Sequence, residues 1–260
     1  MAKKRKLKLR IDRLIIVLIV IGVVGFGLYR GASWVVGTIS SYFQKEEEQT
    51  QTNEEETVTE KEYIATIVID PGHGDWDPGA NVGDVLEKNI TLTTAKAIGD
   101  TLEEANIKAV FTRESDISLS NNKIEDLKKR AAMSAENNAD YFVSIHVNSF
   151  EESDDVSGFE IYTKNDESQS LAQNIGSSIE TFNYSKNRGI IDGERSLQVL
   201  RDNTVPSVLL ELGYINNAND YAYLSDDQKL QKLGEAIAQG IINEVSAHNS
   251  ETITQNNTNE

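Results

Sequence analysis

Short apolar runs alternate with longer amphipathic ones through most of this 260-residue chain. Five runs have strand character: residues 63–69, 107–112, 141–147, 158–163 and 207–212. Between the first two, Ile90, Thr94, Ala97, Ile98, Leu102 and Ala105 recur at helical spacing. Residues 124–137 and 168–181 also read as helices. Residues 226–245 place Leu230, Leu233, Ile237, Ile241 and Val245 on one stripe. Strand–helix alternation of this kind predicts an α/β sandwich around a mostly parallel sheet.

The two ends break this pattern. The first thirteen residues carry seven Lys or Arg against one Asp, and LIIVLIVIGVVGFGLY follows without a charge. That layout predicts membrane insertion. The apolar run exceeds that of a signal peptide and no A-x-A site follows, so residues 14–36 are expected to stay as a single-pass anchor. Secretion after signal cleavage is the alternative. Residues 1–13 form the basic cytoplasmic flank, and everything after the anchor lies outside. Residues 45–62 hold eight glutamates and hardly an apolar side chain, so residues 37–62 read as an acidic, flexible linker. The Asn/Thr-rich residues 248–260 are expected to form a disordered tail. One domain remains, residues 63–247.

Charge narrows the function classes. The chain carries −17 overall, and its first thirteen residues carry +6, which leaves −23 for the rest. Such acidity repels phosphate backbones and argues against nucleic-acid binding. With no cysteine, neither a disulfide framework nor a thiolate zinc site can form.

Candidate chemistry gathers at three strand ends. The stretch IDPGHGDWDPGA, residues 69–80, places His73 on a loop whose Pro-Gly and Asp-Pro-Gly steps make good turns whatever they carry. In YFVSIHVNS, alternation puts Phe142, Ser144, His146 and Asn148 on one face, which turns polar as the strand ends. Open α/β sheets place ligands outside the carboxyl ends of their strands. His248 lies in the polar tail and reads as incidental. Glu211 interrupts the apolar run SVLLELGYINN. A carboxylate there needs an ion pair, hydrogen bonds or a metal, and Arg113, Arg130 and Arg201 are the candidate structural partners. Two histidines and an acid suggest a catalytic zinc with an open position. The third ligand lies among Asp70, Asp75, Asp77, Asp84, Glu87 and Glu211. Glu87 stands at the mouth of a helix, where N–H groups favour a carboxylate, but spacing alone does not rank it above the aspartates.

In order, DPGHG, VLEKN, TRESD, SIHVNS and LLELGYINN resemble the zinc-dependent N-acetylmuramoyl-L-alanine amidases of bacterial cell walls (the amidase 3 family), over about 180 residues from Ile64. The resemblance implies a twisted mixed sheet flanked by helices on both faces. It implies that His73, Glu87 and His146 hold one Zn2+, and that Glu211 is the catalytic acid and base rather than a ligand. Peptidoglycan would be the substrate, and the amide between N-acetylmuramic acid and L-alanine of the stem peptide the bond cut. A zinc-bound water would attack, with Glu211 taking its proton and passing it to the departing nitrogen. Asn148 is expected to touch substrate and Asp70 to orient a histidine; Arg113 and Arg130 fit structural pairing. Tyr214 and Val147 stand where the family commonly has Phe and Ala. The 64 residues between His146 and Glu211 are expected to hold a strand, a helix and loops. Rival readings are a zinc peptidase or carboxypeptidase acting within the stem peptide, and a non-catalytic regulator of amidase type.

Overall fold

The structure, a computed structural model, describes residues 61–258. The basic flank, the expected anchor and the linker up to residue 60 lie outside the described residues. Among the described residues no helix is long and apolar enough to cross a membrane.

The chain enters through β1 (Ala65–Pro71) and a two-residue hairpin of β2 (Asn81–Val82) and β3 (Val85–Leu86), then turns into α1 (Glu87–Glu104). It continues through β4 (Ile107–Phe111), α2 (Lys123–Glu136), β5 (Tyr141–Asn148), β6 (Phe159–Thr163) and α3 (Gln169–Phe182). β7 (Asn187–Asp192), α4 (Gln198–Arg201), β8 (Ser207–Tyr214), α5 (Ala218–Leu224) and α6 (Asp227–Thr258) complete it. Six strands form one sheet in the order β4-β1-β5-β8-β6-β7. The first four are mutually parallel; β6 runs antiparallel to β8 and parallel to β7. The mixed, mostly parallel α/β sheet expected from the sequence is what forms.

Period-two alternation decides which side chains meet which layer. Val143, Ile145, Val208 and Leu210 point into the larger core, under the apolar stripes of α1, α3 and α6. Phe142, Val68 and Leu209 face the smaller core, with Val199 and Leu200 of α4. Because both faces are covered, the central strands read as continuous apolar runs. β7 escaped the sequence reading because it is a mostly exposed edge strand with no alternation to detect. The segment between His146 and Glu211 therefore holds two strands and two helices, not one of each. α6 also continues to Thr258, so the backbone of the expected disordered tail is helical that far, beyond Val245, the last buried apolar residue of the stripe.

Two buried arginines fix where β1 ends. Arg130 donates from Nη1 to Asp70 Oδ1 and Pro71 O (both 2.8 Å), from Nη2 to His73 O (2.7 Å) and from Nε to Asp126 (2.6 Å). Arg113 donates to Pro71 O (2.9 Å) and Gly72 O (2.8 Å). Burial pushes the Asp70 carboxyl up, but Arg130 and the hydroxyls of Thr112 and Ser144 outweigh it and hold the group below its ordinary value.

Removing one side of a buried, hydrogen-bonded ion pair leaves the other charge stranded, so Arg130→Met is expected to cost about 3–5 kcal/mol in urea unfolding. A depressed carboxyl stabilises above its unfolded pKa. The Asp70 contribution is therefore full above about pH 4, fades as the pH falls below that value, and should shrink in Arg130→Met. Wild-type stability in the variant would contradict the clamp.

Candidate metal centre and active site

The carboxyl ends of β1 and β5 lie side by side, with Pro71 in register with Ile145. Beyond that point Gly72 N still donates to Ile145 O (2.9 Å), and the next residue swings out of the sheet with φ of 62°. That left-handed conformation is uncommon for a side-chain-bearing residue, and Arg130 holds it through the His73 carbonyl. His73 and His146 thereby face one another across the strand ends, ring centroids 4.9 Å apart at 74°.

Glu87 comes from the opposite direction, at the first position of α1. Its backbone N–H donates to Ala80 O, and its side chain accepts from Ala80 N (2.7 Å) at Oε2 and from Val147 N (2.9 Å) at Oε1. Two loops thus aim one carboxylate. Glu87 Oε1 lies 3.0 Å from His73 Nε2 and 3.0 Å from His146 Nδ1. Among the described residues, this trio is the one group of three whose ligand atoms all fall within 4.8 Å of one another. Two glycines keep the cradle open. A Cβ on Gly72 would come within 2.4–2.7 Å of the His146 ring, and one on Gly79 (φ 68°) within 2.4 Å of Glu87 Oε2. Two imidazole nitrogens and a carboxylate with room beside them match the donor set of an open zinc site.

Glu211 completes the edge. It pairs across the sheet with His146 on one side and Glu160 on the other, which sets all three in one row. Its Oε2 is enclosed and has no hydrogen-bond partner among the described residues. Burial, then the negative charges of Glu87 and Glu160, push its carboxyl well above the usual carboxylate range.

The family profile of the N-acetylmuramoyl-L-alanine amidases matches residues 67–243. The chain belongs to this amidase family. The probable cell wall amidase LytH of Staphylococcus aureus is 38% identical over 181 residues, which cover 68% of this chain and 57% of that protein. Its Staphylococcus epidermidis counterpart is 36% identical over the same length. The match thus spans little more than half of these relatives. Among solved structures, the amidase AmiC2 of Nostoc punctiforme superposes with a TM-score of 0.65 at 34% identity, over 70% of this chain and 98% of that one. The catalytic domain of the amidase CwlV from Bacillus (Paenibacillus) polymyxa gives 0.63 at 33%, over 70% and 98%.

Within this amidase domain the expected residues separate. His73, Glu87 and His146 come together, with Glu211 beside them. Asp75 and Asp84, two of the alternative acids, are not in the trio. Asn148 sits two residues past His146, its Oδ1 accepting from Ser149 N (2.8 Å). Asp70 corrects an expectation: its oxygens go to Thr112, Ser144 and Arg130, not to a histidine. That position is buried behind the loop, where Arg130 needs an anion. The acid that faces a histidine is Asp77, whose Oδ2 lies 2.9 Å from His73 Nδ1 and also meets Lys123. Burial raises the Asp77 carboxyl, but Lys123 and His73 outweigh it and hold it at about 2. For His73 burial acts downward, and the anions Glu87 and Asp77 win and raise it. Glu160 was missed, although it shares the signal that exposed Glu211: an acid inside an apolar strand. Its carboxylate accepts from Tyr214 (3.0 Å), Tyr162 (3.1 Å) and Arg188. The hydroxyl that distinguishes Tyr214 from the family's usual Phe is therefore in use.

A carboxylate behind a ligating histidine fixes the ring and strengthens it as a ligand. Asp77→Ala is expected to weaken zinc binding by about 10–100-fold in competition with a chelator, with the far-ultraviolet circular dichroism unchanged. Unchanged affinity would leave Asp77 as a partner of Lys123 only.

Proposed function

We propose that the chain is a peptidoglycan hydrolase that cuts the amide between N-acetylmuramic acid and the L-alanine of the stem peptide. The observation that carries this reading is the convergence of His73, Glu87 and His146 beside Glu211, whose Oε2 is enclosed without a hydrogen-bond partner among the described residues. His73, Glu87 and His146 would hold one zinc ion. When bound, such an ion supplies a Lewis acid that makes water a nucleophile near neutral pH and polarises a carbonyl.

The remaining work belongs to the chain. Glu87 is held by two backbone N–H groups, so it is oriented before any ligand arrives. Asp77 stands 2.9 Å behind His73 Nδ1, with Nε2 turned towards Glu87. Glu211 moves the proton: it would take one from the attacking water and pass it to the departing nitrogen, since an amine leaves poorly unless protonated. Burial, and then the negative charges of Glu87 and Glu160, raise its affinity for that proton. Asn148, next on the same face as His146, is placed to meet substrate.

We further propose that residues 14–36 anchor the chain in the membrane, with residues 1–13 inside and the catalytic domain outside. The basic-then-apolar layout supports this, as does the name "cell wall amidase" borne by the relatives. By random-coil scaling, an eighteen-residue spacer over residues 45–62 would have an end-to-end distance of about 20–25 Å. Charge repulsion extends it somewhat, so reach is confined to wall close to the membrane.

Purified protein incubated with peptidoglycan should release new alanine amino termini and leave the glycan intact. Glu211→Gln should lower kcat by about 10²–10⁴-fold with bound zinc retained, whereas His73→Ala should lose the metal. Equal release by Glu211→Gln, or termini from within the stem peptide, would overturn the assignment. Deleting residues 1–44 should abolish association with membrane-proximal wall in cells; unchanged association would refute the tether.

A further inference from the structure

The loop that carries His73 also presents a tryptophan to solvent, and nothing in the metal chemistry uses it. Gly74 and Asp77 exchange backbone hydrogen bonds (2.9 and 3.1 Å), which closes a hairpin with Asp75 and Trp76 at its tip. The tip is fixed rather than loose. Asp75 N donates to Asp116 Oδ1 (2.7 Å), Lys88 donates to Asp75 O (2.9 Å), and the indole Nε1 donates to Ser120 O (3.1 Å). With its one polar atom tied down, Trp76 still leaves 45% of its surface exposed, and Ile117 in the facing loop leaves 47%. A large apolar side chain held out in water on an immobilised turn, three residues from a metal-site histidine, marks a binding ledge.

We propose that the Trp76 indole is the platform on which a sugar ring of the glycan strand stacks, so that this ledge receives the sugar side of the scissile bond. The proposal rests on the peptidoglycan reading and deepens it. Two features select a sugar over the stem peptide. A pyranose presents a flat face of C–H groups to an aromatic ring and hydroxyl donors around its rim, and here Asp75, next to Trp76 in the chain, and Asp116, which holds the tip, supply acceptors. Lys88 is ion-paired with Asp116 and Lys123 with Asp77, so neither is free to hold the carboxylates of a stem peptide. A cation for such carboxylates stands across the site instead. Arg188 of β7, beside Glu160, lies three strands beyond β5, whereas the Trp76 loop follows β1 on the other side. The substrate therefore lies along the sheet edge with its sugars towards β1 and its peptide towards β7.

The chain has two tryptophans, so full-length protein carrying Trp34→Phe reports on Trp76 alone. In detergent, this protein is titrated with a neutral β-1,4-linked N-acetylglucosamine tetramer and, separately, with free stem peptide, and indole fluorescence is read. The expected result is a saturable change with the sugar, at Kd of roughly millimolar, and none with the peptide. By calorimetry, Trp76→Ala should bind the sugar about tenfold or more weakly, and Trp76→Phe should retain most of the affinity. No spectral response to the sugar, a response to the peptide alone, or undiminished sugar binding by Trp76→Ala would each overturn the proposal. None of these readouts requires cleavage, so a failed hydrolysis assay and a failed ledge are distinguishable.

Discussion

Pro71, Gly72 and His73 leave a buried strand with their carbonyl groups facing inward, and it is Arg113 and Arg130 that satisfy them. Everything at the active edge depends on that grip. Hydrogen bonds from a charged donor contribute about 1.5–3 kcal/mol each, enough to hold His73 in a backbone conformation that side-chain-bearing residues otherwise avoid. The two guanidinium groups repel one another, and together with burial this lowers Arg113 to about 10. Asp70 and Asp126 compensate for the accumulated charge. The acid immediately before the loop is thus a structural counter-ion, while the acid four residues after the histidine faces the imidazole.

A second constraint runs across the sheet rather than along the chain. His146, Glu211 and Glu160 occupy one row on three adjacent strands, and the mixed topology is what makes this possible. Because β6 runs antiparallel to β8, the beginning of β6 lies at the edge where β5 and β8 end. An all-parallel sheet would set the far end of β6 at this edge and leave Glu211 without Glu160 beside it. Glu160 has two phenols and a guanidinium to stabilise its charge; Glu211 has no donor among the described residues. Two glutamates in like positions on neighbouring strands therefore sit among quite different partners.

The sequence exposed the parts of this protein whose physics is local. Alternating and helical periodicities located the five strands lining the core and the four long helices, since burial of one face writes itself into the order of residues. It exposed His146 and Glu211 because polar groups stand out in apolar strands. It missed β7 because an exposed edge strand buries too little to leave a pattern, and it missed Glu160 although the same rule applied there. It gave Asp70 the wrong partner because proximity along the chain to His73 says nothing about which side of the loop the carboxylate faces.

What the sequence determined by itself was the α/β class, the acidic charge, the absence of thiol chemistry and a short roster of residues able to bind a metal. Motif order added the family, and with it the preference for Glu87. Only the tertiary structure brought Glu87 Oε1 to 3.0 Å from both histidines, turned Asp77 rather than Asp70 towards His73, and enclosed Glu211 without a donor. The reason is physical. Residue type and spacing fix which groups are available, but coordination, orientation and protonation depend on distances and dielectric surroundings, and those arise when strands far apart in sequence become neighbours.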